Sequence, residues 1–206
     1  MMNASREPWL PQAVAPKPEL SAPMQTLMAR VMGEVREKPL KQLMLVGASG
    51  QVGTSTIARQ AAAQLQSAFG SVLLIEVRPD LHDDLPLLEG PVSLGEHPIV
   101  ISLSMGLGQA TRLFSAWQAS SGGLPHPWLD AHGLVIWDVP PPTAEPLALS
   151  MARAMDGIVL VAQAGKTRRH VAEYVSQSLG HSGGRMLGVV LNRTRNHIPA
   201  WLYRLL

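Results

Sequence analysis

Six short runs of predominantly apolar residues recur along this chain, and between them the apolar positions fall at helical spacing. The runs cover 43–46, 72–75, 99–103, 134–137, 158–161 and 187–191. Continuously apolar runs of this length predict strands buried on both faces. A helix is expected after Thr54, with Ile57, Ala61 and Leu65 on one face and Gly70 as its stop. A second follows Thr143, with Leu147 and Met151 inward, and a third follows Thr167 as N-cap, with Val171, Val175 and Leu179 inward and Gly180 at its end. An earlier stripe of Met24, Leu27, Met28, Val31 and Val35 reads as a packing or self-association helix.

Strands alternating with helices predict an α/β fold, a mostly parallel sheet with helices on both faces. Ligands of such sheets bind beyond the carboxyl ends of the strands. Attention therefore falls on 47–56, 76–80, 138–142, 163–167 and 192–196. Residues 1–23 hold Pro8, Pro11, Pro16, Pro18 and Pro23 and read as a disordered or extended tail, leaving 24–206 as a single domain. The stretch 80–123, rich in Gly, Ser and Pro, yields one strand and no further element.

Composition narrows the function classes. Hydrophobic residues make up 46% of the chain, which is a globular rather than a disordered balance. The net charge of +2 gives no electrostatic footprint for nucleic acid. There is no cysteine, which removes disulfides, thiolate catalysis and cysteine metal sites. The seven histidines show no metal spacing; His97, His126, His132 and His181 are expected in exposed loops. Trp137, within an apolar run, is expected in the core. An early Arg6, Glu7 and several prolines are unlike a secretory leader, and no apolar run reaches membrane-spanning length. The expectation is a cytoplasmic protein that can dock on a membrane partner.

The candidate chemistry starts at the first strand-to-helix loop. It reads Gly47-Ala48-Ser49-Gly50-Gln51-Val52-Gly53-Thr54-Ser55-Thr56. A buried strand, a loop of small residues and a helix start are the context of a phosphate loop. Gly50 and Gly53 let successive N–H groups curl toward one anion, and the helix adds its positive end. Ser55 stands where a hydroxyl would hold magnesium. Against the pattern G-x-x-x-x-G-K-[ST], Ala48 occupies the first glycine and Thr54 the lysine. Thr54 is short and neutral, and no lysine occurs between Lys41 and Lys166. Losing one such donor lowers the rate of phosphoryl chemistry by roughly a hundredfold or more. The loop is thus either a nucleotide cradle or a plain strand-to-helix turn. Glu76, after the second run, is either a water-orienting acid or a surface acid. Asp138, before Pro140-Pro141-Pro142, is either the acid that meets magnesium through water or a cap.

From 133 to 193 the chain resembles the bacterial tyrosine kinase (BY-kinase, CpsD/CapB-like) branch of the MinD/ParA P-loop ATPases. Leu134-Val135-Ile136-Trp137-Asp138-Val139-Pro140-Pro141 resembles that branch's Walker B. Asp156 to Val161, followed by Ala164-Gly165-Lys166-Thr167, is similar to its next strand and loop. Leu187-Gly188-Val189-Val190-Leu191-Asn192-Arg193 is similar to the strand whose asparagine meets the adenine base. The likeness extends back through Glu76 to the phosphate loop, about 40 to 195. It implies a P-loop NTPase fold, ATP or ADP with Mg2+ on Ser49 to Thr56, Asn192 and Arg193, and metal contacts at Ser55 and Asp138. It further implies a role in capsule or exopolysaccharide export.

The departures point to a degenerate member. Thr54 replaces the lysine, and Glu76 replaces the first aspartate of the second acidic motif. Arg78 stands where the aspartate two residues on is expected. Only Tyr203 remains of a tyrosine-rich tail, and the oligomerisation motif is not clear around 24–36. The expected function is a pseudo-ATPase that regulates or scaffolds a membrane-bound polysaccharide co-polymerase or synthase component, itself able to form homo-oligomers, with the site holding nucleotide or empty. The alternatives are an active ATPase or tyrosine kinase with Glu76 and Asp138 catalytic and a cation from Arg59, Arg193 or a partner subunit, and a MinD/ParA-like positioning protein. The C-terminal Trp201 to Leu206 reads as a docking helix or a membrane foot.

Overall fold

The apolar runs assemble into one sheet. A computed structural model describes residues 12–13, 25–27, 29–31, 33, 39–81, 99–119 and 132–193. Its strands are β1 (Gln12–Ala13), β2 (Gln42–Gly47), β3 (Ser71–Val77), β4 (Ile99–Met105), β5 (Leu134–Val139), β6 (Gly157–Gln163) and β7 (Met186–Asn192). They lie in the order β1-β4-β3-β5-β2-β6-β7. Six are parallel, and β1 adds an antiparallel edge on β4. Each run lies inside its strand, which extends it by two or three residues. Half of those additions, among them Gln42, Ser71, Ser104, Asp138 and Gln163, are polar and escape a purely apolar pattern.

Helices α1 (Thr54–Phe69), α2 (Leu107–Ala119), α3 (Leu147–Ala152) and α4 (Arg169–His181) cover the two faces. On one face Ile57, Ala61 and Leu65 of α1 pack with Leu43, Leu45, Leu74 and Ile136, and Leu27 and Val31 of the early helical segment join them. On the other, Leu113 and Phe114 of α2, Leu147 and Met151 of α3, and Val175 and Leu179 of α4 meet Met44, Ile75, Trp137 and Leu160. Gly70 ends α1 with φ +74°, its N–H bonded to the Gln66 carbonyl at 2.8 Å.

Three expectations change. Helix α2 lies inside the stretch from which one strand and no further element is expected; Ala110, Leu113 and Phe114 are its buried stripe. Thr167 is not the cap of α4: Arg168 is, without a side-chain bond, and the Thr167 hydroxyl oxygen instead accepts the Gln163 N–H at 2.9 Å. The helix runs one residue past Gly180, to His181. Of the tail, Gln12–Ala13 form β1. The rest of it, Met24, Met28, Val35, His97, His126, Tyr203 and the segment from Trp201 lie outside the described residues.

The entry to β2 is sewn down by Asp156. One carboxylate oxygen accepts the N–H groups of Lys41 at 2.8 Å and Gln42 at 2.7 Å, and the Gln42 carbonyl accepts the Asp156 N–H. Within the core, the Trp137 indole donates to Gln42 Oε1 at 2.7 Å, so the buried ring's one donor is satisfied. From β2 the chain passes over α1 to β3 on one side. From β5 it passes over α3 to β6 on the other. The connections after the neighbouring strands β2 and β5 thus leave in opposite directions, which opens a crevice at their carboxyl ends.

Candidate functional site

The loop between β2 and α1 is built for close approach to a ligand. Gly53 caps α1 in the left-handed conformation, φ 88°, and makes no side-chain cap bond. The first turn of α1 carries no acidic residue. Gln51 also stands at positive φ, 60°, which costs a side-chain-bearing residue roughly 1 kcal/mol. Among the described residues the only other non-glycine at positive φ is Arg193, at 55°. Both line the same cleft. Thr54 folds inward: its hydroxyl oxygen lies 2.9 Å from where a Cβ on Gly47 would stand. It therefore sits beneath the loop, over the end of β2.

Strand register aligns the acids. Glu76 pairs with Asp138 across β3 and β5, and with Ser104 across β3 and β4. In a parallel sheet, residues in register point to one face, here the face that α1 covers. Asp138 is buried, with the Ser55 hydroxyl close enough to favour its charged form. Its carboxyl is pushed up to about 6, chiefly by burial and further by the Glu76 carboxylate, against the Ser55 hydroxyl and the charges of Arg78 and Arg59. Glu76 is 4% exposed. Arg59 of α1 brings Nη2 to 2.7 Å from Glu76 Oε1, a close ion pair whose angle does not make a hydrogen bond. Ser104 donates to Oε2 at 3.4 Å.

These elements enclose a cleft of about 830 Å3. All of Ser49 to Thr56 line it, with Arg78, Asp138, Pro140, Pro141 and Arg193. Glu76 lies behind it with Arg59. Asn192 stands beside it rather than in it: Nδ2 donates to the Val52 carbonyl at 2.9 Å, and Oδ1 accepts the Arg193 N–H at 2.8 Å. A Cβ on Gly53 would come within 2.4 Å of that amide nitrogen. Asn192 thus braces the loop. Arg59, proposed from sequence as a source of positive charge, is held by Glu76. His132, expected in an exposed loop, is buried against the Ser71 hydroxyl. Burial, with Lys41 nearby, lowers its pKa to about 4. His181 is exposed, at the end of α4.

No protein-family model matches the chain. Over 67 residues it is 34% identical to the tyrosine-protein kinase CpsD of Streptococcus agalactiae, a match covering 32% of this chain and 29% of that protein. The match thus spans about three tenths of the length of that relative. Over 196 residues it is 26% identical to the tyrosine-protein kinase YwqD of Bacillus subtilis, covering 86% of this chain and 82% of the relative. The fold superposes on the kinase domain of the Escherichia coli tyrosine kinase ETK with a TM-score of 0.64, at 19% identity, over 85% of this chain and 78% of that one. The BceF tyrosine kinase domain gives 0.60 at 18% identity, over 82% and 75%.

The chain is thus similar in sequence to bacterial tyrosine-protein kinases and shares the fold of their kinase domains.

That similarity makes a nucleotide and magnesium the groups whose fit to the cleft matters. Ser55 and Asp138 offer hard oxygen donors side by side, a set that suits magnesium. The glycine-shaped loop and uncapped helix start suit phosphate oxygens. The one misfit is Thr54, which turns a hydroxyl under the loop where an ammonium would reach outward. No helix among the described residues is long and apolar enough to cross a membrane.

Proposed function

We propose that this chain is a nucleotide-holding, non-phosphorylating BY-kinase-like protein. It serves as a regulatory or scaffold component of capsule or exopolysaccharide synthesis and export. The observation that carries this reading is the pairing of a retained Ser55–Asp138 donor set with Thr54 turned inward at the lysine position. Binding needs the loop amides, the hydroxyl and the carboxylate. Transfer needs in addition a fixed cation on the charge that develops at the outer phosphates. ADP or ATP with Mg2+ is accordingly a structural ligand here, and its occupancy sets the shape of the crevice that a partner reads. The partner is a membrane-bound co-polymerase or synthase component, which brings an otherwise cytoplasmic protein to the inner membrane. Its surface also suits self-association.

A thermal-shift titration with ATP and Mg2+ tests the first half. Ligand at about a hundred times its Kd adds about 2.7 kcal/mol of stability, several degrees in a domain of this size. No shift at millimolar ligand leaves a scaffold without nucleotide. Phosphate release measured with the partner tests the second half, and turnover abolished by Asp138→Ala would make the chain an enzyme after all.

A further inference from the structure

Loss of the lysine leaves the outer phosphates of any bound nucleotide without a cation from the loop. The cleft has two arginines in its lining, Arg78 near the middle of the sheet and Arg193 at its edge. Arg193 follows β7, the strand at the far edge, beside Asn192. Arg78 follows β3, which neighbours β5 and its Asp138. The N–H of Arg78 continues the β3–β4 ladder, donating to the Met105 carbonyl at 2.8 Å. By strand alternation Arg78 therefore shares the face of Glu76, one step nearer the carboxyl edge. Glu76 occupies Arg59 and leaves Arg78 to the cleft, where its charge acts on Asp138.

We propose that Arg78 supplies, to the outer phosphates of a nucleoside di- or triphosphate, the positive charge that Thr54 withholds. The inference rests on the nucleotide-holding role proposed above and names the residue that makes it workable. The loop after β2 offers amides from one side, Asp138 of β5 stands between, and the Arg78 guanidinium closes the other side. An arginine fork suits two phosphate oxygens at once and stays charged at every relevant pH. The cation has moved from the helix start to the neighbouring strand. This serves binding, while the loop ammonium that follows the outer phosphates in transfer is still missing.

Calorimetric titrations of the full chain with ADP and with AMP, in excess Mg2+, test this. The wild type binds ADP more tightly than AMP. Arg78→Ala weakens ADP binding by about ten- to a hundredfold and leaves AMP within about twofold. Thr54→Lys added to Arg78→Ala restores ADP binding, because the cation returns at the other position. Arg169→Ala, on an arginine whose side chain is 91% exposed on α4, changes neither ligand and excludes a net-charge effect. Circular dichroism melts check folding. Should Arg78→Ala melt too low, Arg78→Lys replaces it, with an intermediate loss for ADP alone. Unchanged ADP binding in these variants overturns the proposal. So does an equal loss for ADP and AMP, which would make Arg78 a counter-ion to Asp138. A wild type that binds neither nucleotide at millimolar concentration defeats the nucleotide-holding role itself, and this inference with it.

Discussion

Asp138 and His132 are buried groups at opposite ends of β5, and their titrations oppose each other. The Asp138 pKa rises from 3.8 to about 6 on folding. Its contribution to stability is therefore complete below about pH 4 and is lost as pH rises through 6. The loss is on the order of 3 kcal/mol at neutral pH. The His132 pKa falls from 6.5 to about 4, so its contribution is complete above 6.5 and is lost as pH falls through 4. Between pH 4 and 6 the two slopes offset, and the wild type should show a flat stability profile. Asp138→Asn removes one of them. Urea melts of that variant without nucleotide should show stability rising with pH across this window, and a gain of about 1–3 kcal/mol over wild type at pH 8. A slope unchanged from wild type would mean that Asp138 ionises normally. The Arg59–Glu76 pair behaves differently because only its acid is buried, with side chains 41% and 5% exposed. Arg59→Ala strands a carboxylate and should cost about 1–3 kcal/mol. Glu76→Gln in the same chain should recover most of that loss, which a double-mutant cycle reads directly.

Elements of this fold hang on a few long-range clamps, and these set what the sequence made legible. Asp156 lies at the turn into β6, yet it fixes the start of β2, more than a hundred residues earlier, through two backbone N–H groups. Asp156→Ala leaves both donors without their acceptor and should cost about 1–3 kcal/mol. Hydrogen exchange should speed up at Lys41 and Gln42 first, while α4 keeps its protection. Nothing in the pattern announces such a contact; a lone acid before an apolar run reads as a turn. Strands were legible because burial on both faces forces continuous apolar runs. Helix α1 was legible because Ile57, Ala61 and Leu65 repeat and Gly70 stops it. Helix α2 carried the same signal in Ala110, Leu113 and Phe114, but Gly106, Gly108 and Gln109 at its start obscured it. The loop, Ser55 and Asp138 were placed in one region by topology alone. The holding of Arg59 by Glu76, and the bond of Asn192 to the Val52 carbonyl, depend on side-chain reach that no spacing encodes.

Taken as a whole molecule, the cleft departs from the resembled pattern at several linked places. Thr54 starts α1, while Glu76 near the end of β3 and Arg78 just after it lie beside Asp138 of β5. Restoring the lysine alone should tighten nucleotide binding without restoring transfer. A lysine at 54 would bring a third cation into a cleft already lined by Arg78 and Arg193, and the longer Glu76 would still be drawn back to Arg59. The acids that the resemblance places after β3 would remain displaced. Full reversal needs Thr54→Lys, Glu76→Asp and Arg78→Asp together, which removes one strand-end cation, adds a loop cation and shortens the buried acid. The expected outcome is ADP affinity raised by Thr54→Lys alone, and phosphate release rising above wild type only in the triple variant. The gain of one well-placed donor to the transition state is roughly a hundredfold. Turnover in the single variant equal to that in the triple would show that Thr54 alone silences the site, and that Glu76 and Arg78 are incidental to it. Asp138→Ala placed in the triple variant should return it to wild-type turnover, since the metal-side carboxylate serves transfer whichever residue supplies the cation.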